Sequence, residues 1–247
     1  MKKKPGSKLI PEPTYPMRIN KYLALHKHST RRGADELIKK RLIFINGKQA
    51  VLGDKVNETD NVEVKFRGLP KEFVYFAYNK PIGVVSHSPE KGQKDIRQSI
   101  KPRISRKDVF PVGRLDRESH GLIILTNDGR ITDPLLSPNY VHDKEYLVTT
   151  GNKLRTSFKQ KAEAGVNIEG YTTLPCKVEI INDFIFKITL TEGKKHQIRR
   201  MCSALFQEIK DLKRIRIMNI RLENLAPSDY RQIEGKELEI FLRSLGL

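Results

Sequence analysis

A carboxylate on an irregular segment between two strands is well placed for acid–base or covalent chemistry, and Asp116 has that setting. It sits within Pro111 to Gly129, PVGRLDRESHGLIILTNDG. Val109, Phe110 and Val112 lead into Gly113-Arg114-Leu115-Asp116. A polar kink follows from Arg117 to His120, and Gly121 then releases Leu122-Ile123-Ile124-Leu125. Four apolar residues closed by the turn Thr126-Asn127-Asp128-Gly129 read as a buried strand. Two readings fit these residues alone: a catalytic carboxylate on a rigid scaffold, or an aspartate that only caps a tight connection. His120 adds a third arrangement, an acid–base pair with Asp116 as in a hydrolase.

Other chemistry-bearing residues are sparse. Cys176 and Cys202 are too few for a disulfide framework or a structural zinc, and Cys202 falls in an apolar helical stripe. His26 and His28 stand two apart on a helix, face different ways and make a poor metal pair. Neither a metal-ligand cluster nor a glycine-rich phosphate loop is present. Taken singly, Tyr146 reads as a half-buried strand aromatic and Arg199 as a helix-surface residue. His196 reads as a residue that orients substrate or backbone.

The elements that would position these residues are legible from periodicity. Residues 1–16 are rich in Lys, Pro and Gly and form a flexible basic tail. Ile19, Tyr22, Leu23 and His26 recur at helical spacing. Ser29-Thr30 offers an N-cap to a second helix whose apolar face is Ala34, Leu37 and Ile38. Arg31 and Arg32 in its first turn oppose the helix dipole, so something other than helix stability favours them. Leu42 to Ile45 and Asn61 to Phe66 read as strands, with a hairpin turn at Asn46-Gly47. After a linker at 67–72, strands are expected at Phe73 to Tyr78 and from Val84 to Ser86, with a Pro/Gly turn at residues 79–83 between them. Residues 87–108 read as a polar surface excursion. A helical piece near Asp133 to Leu136 precedes strands at 144–149, 176–180 and 184–190. A helix from His196 carries Ile198, Met201, Cys202 and Leu205. Lys213 to Ile217 alternates as a basic-outward strand, and Glu234 to Leu245 closes the chain as a helix. Many non-adjacent strands with few helices indicate an α+β fold.

Charge points to the partner. The 247 residues hold 47 Lys plus Arg against 29 Asp plus Glu, a net +18. Residues 1–48 carry 13 basic and 3 acidic residues, and residues 187–221 carry 10 and 3. Such an excess suits a polyanion, because each neutralised phosphate releases counterions. No apolar run reaches the ~20 residues of a membrane span. No basic amphipathic helix with exposed aromatic residues marks a membrane surface. The charged start lacks the apolar core of a signal peptide, and a cytoplasmic location is expected.

Arg18-Ile-Asn-Lys-Tyr-Leu23, Ser29-Thr-Arg-Arg32, Phe44-Ile-Asn-Gly-Lys48 and Asp54-Lys-Val56 resemble the S4 RNA-binding domain. That likeness implies RNA contact through Arg18, Lys21, Thr30, Arg31, Arg32 and Lys48. Gly113 to Asp116, Lys144-Glu-Tyr-Leu-Val148 and His196-Gln-Ile-Arg-Arg200 together resemble the motifs of pseudouridine synthases. The branch is the one that modifies ribosomal RNA behind an N-terminal S4 domain, and the Asn79-Lys-Pro-Ile-Gly83 turn also fits. His142 to Val148, Ile198 to Cys202 and Arg214 to Asn219 are most similar to the large-subunit enzymes of that branch. The resemblance implies a small S4-type module over 17–66 and a mixed, mainly antiparallel catalytic sheet over 73–247.

By the same resemblance Asp116 is the essential carboxylate, Tyr146 packs on the target base, and Arg199 pairs with the aspartate. Arg114, Lys195 and Arg200 add RNA contacts. The implied substrate is ribosomal RNA, a pre-ribosomal particle or a structured tRNA-like stem-loop, handled by a monomer without cofactor or metal. A non-catalytic RNA-binding assembly factor is the alternative, but such a protein would be free to lose Asp116, Tyr146 and Arg199.

Overall fold

The computed structural model describes residues 14–26, 28–29, 31–65, 72–100, 109–137 and 140–247. The basic tail up to residue 13, Thr30 with its proposed cap, the linker residues 67–71 and the side chain of Arg32 lie outside the described residues.

The first unit follows from two amphipathic helices and a hairpin. β1 (Met17–Arg18), α1 (Ile19–Leu25) and α2 (Arg31–Lys39) precede β2 (Ile43–Ile45), β3 (Lys48–Gln49), β4 (Lys55–Val56) and β5 (Val62–Val64). Ile19, Leu23, Ala34, Leu37 and Ile38 from the helices meet Ile43, Ala50 and Val56 in one small core. Asn46 (φ 50°) and Gly47 (φ 76°) are both left-handed, the conformation that a two-residue hairpin turn demands.

The second unit is built on a nine-stranded sheet. In chain order its elements are β6 (Tyr75–Lys80), α3 (Ile96–Ile100), β7 (Phe110–Val112), β8 (His120–Thr126), a 3-10 turn (Gly129–Ile131), α4 (Thr132–Leu136) and β9 (Lys144–Thr150). There follow α5 (Phe158–Ala164), the hairpin of β10 (Asn167–Ile168) and β11 (Tyr171–Thr172), β12 (Lys177–Ile180) and β13 (Ile185–Leu190). The last are α6 (Gln197–Ala204), β14 (Ile209–Ile217), β15 (Ile220–Arg221), β16 (Tyr230–Gln232) and α7 (Gly235–Ser244). The order β12-β13-β9-β14-β8-β6-β16 is antiparallel throughout except where β14 runs parallel to β8. That pairing is a seam between a half made of β6, β7, β8 and β16 and a half made of β9, β12, β13, β14 and β15.

Strand periodicity assigns the two faces. Ala77, Leu122 and Ile124 point to one face, under α4 and α7, with Leu135, Phe241 and Leu245. Tyr78, Ile123 and Leu125 point to the other, where Ile96 and Ile100 of α3 cover them. Farther along that second face, Val148, Phe186 and Ile188 pack against Ile198, Met201 and Cys202 of α6. Leu122 to Leu125 are wholly buried, each side chain contributing roughly 1.5–3 kcal/mol. The turn after β8 grips the chain as it enters β6. Thr126 Oγ1 donates to Val74 O at 2.6 Å, and Asn127 Oδ1 accepts from Val74 N at 2.9 Å. The buried Asp128 takes the Tyr75 hydroxyl and a bidentate Arg130.

Three expectations change. Val84 to Ser86 is not a strand: Val85 makes one isolated bridge to Asp95, because Ser86 is turned toward Leu115 instead. The excursion 87–108 contains α3, started by a reciprocal cap in which Asp95 Oδ1 accepts from Gln98 N and Gln98 Oε1 from Asp95 N. In the strand expected to be basic-outward, Arg214 is only 3% exposed. It faces β8 at Gly121, whose missing Cβ admits it: an added Cβ would lie 2.3 Å from Arg214 O.

Candidate active site

Asp116 lies on the irregular segment between β7 and β8, and the chain around it is held residue by residue. Gly113 O accepts from His87 Nε2 at 3.1 Å, and Arg114 O from Arg214 Nη1 at 3.3 Å. Leu115 is clasped on both backbone atoms by Ser86 Oγ, at 2.9 Å to O and 3.0 Å from N. Asp116 O accepts from Ser119 N and Arg117 O from Gly83 N. Glu118 O accepts from Arg199 Nη2 at 3.3 Å, and Ser119 O from Lys80 Nζ at 2.7 Å. Every carbonyl from Gly113 to Ser119 therefore has a donor. A segment without regular structure leaves its backbone groups to be satisfied from elsewhere, and here that requirement fixes the loop.

Two cations carry much of this support from inside the sheet. Lys80 is fully buried and caps Pro81 O and Ser119 O. Burial holds its ammonium down to about 8, while the nearby Asp116 carboxylate opposes that shift and Arg214 adds to it. Arg214 bonds Leu122 O at 2.7 Å as well as Arg114 O, so it spans both flanks of Asp116. Sequence alternation read Lys80 as part of a turn and Arg214 as outward, so both supports were missed. Lys144 is likewise held down to about 8, by burial first and by Arg214 second. An electropositive floor of this kind favours an anionic substrate.

The partner of the Asp116 carboxylate is not the one expected. His196 Nε2 stands 3.3 Å from Oδ1. Arg199 instead donates to Glu118 O and Ser119 Oγ, holding the loop and not the carboxylate. Its Nε, like Arg214 Nη2, is buried without a partner among the described residues. His120 is turned away from Asp116 and binds Asp211 at 2.9 Å, which removes the acid–base pair of the hydrolase arrangement.

Tyr146 shares a row with the supports. The register runs Tyr146, Arg214, Gly121, Lys80 across β9, β14, β8 and β6. At the usual strand spacing the Tyr146 backbone is about 10 Å from that of Gly121. Its ring is half-buried at the edge of the α6 core. A cleft of about 240 Å³ opens beside Asp116, lined also by Arg114, Arg117 and His196 and by Ser88, Glu90 and Gln93 of the turn that follows His87. A rigidly placed, partly exposed carboxylate can act covalently or as a base on a bound nucleoside, and a flat phenol on the same sheet face can stack on a base.

The residues expected to meet RNA divide into two groups. Arg18, Lys21, Arg31, Lys48, Arg114 and Lys195 are exposed. Arg200 is tied to Ile168 O at 2.9 Å and to Glu169 Oε2 at 2.7 Å, so it staples the β10–β11 hairpin to α6. Cys202 is core, its thiol pushed up to about 12 chiefly by burial.

The family model for RNA pseudouridylate synthase matches residues 74–204, and the S4 domain model matches residues 17–62. Dual-specificity RNA pseudouridine synthase RluF of Escherichia coli (strain K12) is 40% identical over 231 residues, spanning 92% of this chain and 78% of the relative. Ribosomal large subunit pseudouridine synthase B of Bacillus subtilis (strain 168) is 33% identical over 231 residues, spanning 90% and 94%. The crystal structure of a pseudouridylate synthase aligns with a TM-score of 0.67 at 28% identity, over 93% of this chain and 99% of that one.

Proposed function

The chain belongs to the RNA pseudouridylate synthase family, with an S4 domain ahead of the catalytic one, and from that premise we propose that it isomerises one uridine of ribosomal RNA, in the large subunit. In that reaction the bond from ribose C1′ to N1 breaks, the base turns, and a C1′–C5 bond forms. The C5 proton leaves as N1 gains one, so atoms and charge balance with no oxidant, reductant or metal. Asp116 supplies the reacting carboxylate, as nucleophile at the sugar or as base. Tyr146 offers the stacking face that an extruded base needs. Arg199 acts through the loop it holds. The S4 module, through Arg18, Lys21, Arg31 and Lys48, carries the sequence-independent grip on phosphates. The protein acts as a monomer in the cytoplasm, on ribosomal RNA or a pre-ribosomal particle.

The observation that supports this reading most is the hydrogen-bonded frame around Asp116. A turn cap has no need of seven satisfied carbonyls, whereas a reacting group must be held to a fraction of an ångström. Asp116→Asn should abolish pseudouridine formation while RNA binding persists. Purified wild type and variant are incubated with unmodified ribosomal RNA, and pseudouridine is mapped by chemical labelling and primer extension. Equal product from both proteins would sink the assignment.

A further inference from the structure

We propose that His196 is a positioning residue for Asp116: its Nε2–H holds Oδ1 and so decides which carboxylate oxygen faces the bound uridine. The inference rests on the reading of Asp116 as the reacting group. Among the described residues, His196 is the one side chain paired with that carboxylate, its Nε2 standing 3.3 Å from Oδ1. It also lines the cleft.

The backbone is set to deliver the ring there. His196 is left-handed (φ 51°, ψ 29°), although it carries a side chain and precedes α6. Its ring makes no capping bond to that helix, so capping does not explain the conformation. Backbone held in a sparsely populated region persists where its surroundings over-determine it. Those surroundings are visible on both sides. Gln197 is buried, its Oε1 accepting from Lys194 N at 2.9 Å and its Nε2 donating to Glu192 Oε1 at 2.7 Å. Glu192 is itself fixed by the Tyr171 hydroxyl and by Leu174 N. The residues flanking His196 are thereby locked, and the ring projects toward Asp116. Asp116 and His196 lie in opposite halves of the sheet, so the contact also spans the seam.

The test compares wild type, His196→Gly and His196→Asn in single-turnover reactions on the ribosomal RNA transcript, with RNA affinity and thermal midpoint measured alongside. Glycine accepts the left-handed backbone without strain and asparagine tolerates it while keeping an N–H donor. The expected result is a rate about 100-fold lower for His196→Gly, as for misplacement of a reacting group. RNA affinity and thermal midpoint should not fall. His196→Asn should recover part of the rate, and added imidazole should raise the rate of His196→Gly. A His196→Gly enzyme as fast as wild type overturns the proposal. So does a loss that neither asparagine nor imidazole restores, since a purely structural role would give that pattern. A wild type without activity overturns the assigned reaction instead, which keeps the two failures apart.

Discussion

On one side of the cleft, the segment from Gly113 to Ser119 takes hydrogen bonds from β6, from residues 83–87, from α6 and from β14. A second stretch lining the cleft is different: Glu90 and Gln93 bond to each other, through backbone and side chains alike, in an exposed turn that contains Ser88 (φ 49°) and Gly92 (φ 87°). The first wall is a template, fixed from several elements that are themselves packed. The second makes its bonds locally and rests on the body through the Val85–Asp95 bridge and α3. The difference separates two tasks. These are the two tasks that the proposed reaction sets: a reacting carboxylate must not move, while another surface of the cleft must accommodate an irregular RNA.

Disturbing the first wall should therefore cost far more than disturbing the second. Ser86→Ala strips Leu115 of both its backbone partners inside a buried site, a loss of about 1–3 kcal/mol per orphaned group. The thermal midpoint should fall, and the single-turnover rate with it by about 100-fold. A variant with normal rate and reduced midpoint would mean that the frame stabilises the fold without placing Asp116.

Lys80→Met probes the same wall through pH. The Lys80 ammonium is held to about 8 in the folded chain, against about 10.4 when unfolded. Between those values the unfolded chain binds more protons, so wild-type stability contributed by this group rises with pH. The destabilising burial of charge is fully present below about pH 8 and is relieved as pH climbs toward about 10.4. Denaturant midpoints of the two proteins, compared from pH 7 to 10.5, should show wild type gaining on Lys80→Met. A constant difference would remove the buried ammonium from the account.

The smallest effect is expected from Gln93→Ala on the second wall. KM should change by about threefold or less, with the single-turnover rate at saturating RNA unchanged, because only uniform binding is touched. A rate loss approaching that of Ser86→Ala would erase the distinction between the walls.

Much of this could be read before any coordinates. Gly113 and Gly121 bracket Asp116, and the four apolar residues after Gly121 announce the strand that fixes it. The three motif segments do converge around one sheet face. What escaped were charges with interior roles. Alternation assigns Arg214 to solvent because periodicity cannot show that its neighbour is a parallel strand whose glycine lets the two backbones close, nor that Leu122 O and Arg114 O wait for its guanidinium. Lys80 sits in a stretch, residues 79–83, that reads as a turn, and the return of Ser119 overhead supplies the second carbonyl, beside that of Pro81, that makes its burial tolerable. The cap of α3 was present as Asp95-x-x-Gln98, hidden in a polar context. The exchange of partners, His196 on the carboxylate and Arg199 on the loop, depends on a left-handed residue that no local pattern announces.

The parallel seam also bears on when the protein becomes active during its own synthesis. Asp116, Ser86 and Lys80 lie before the seam, whereas Tyr146, His196, Arg199 and Arg214 come after it. Chains emerge N-terminus first and fold as they lengthen. The S4 module, complete by Val64, is available about 150 residues before Arg214, a delay of about 10–30 s at common translation rates. A growing chain can thus hold RNA well before it can alter it, and its carboxylate stays unframed until synthesis has passed β14.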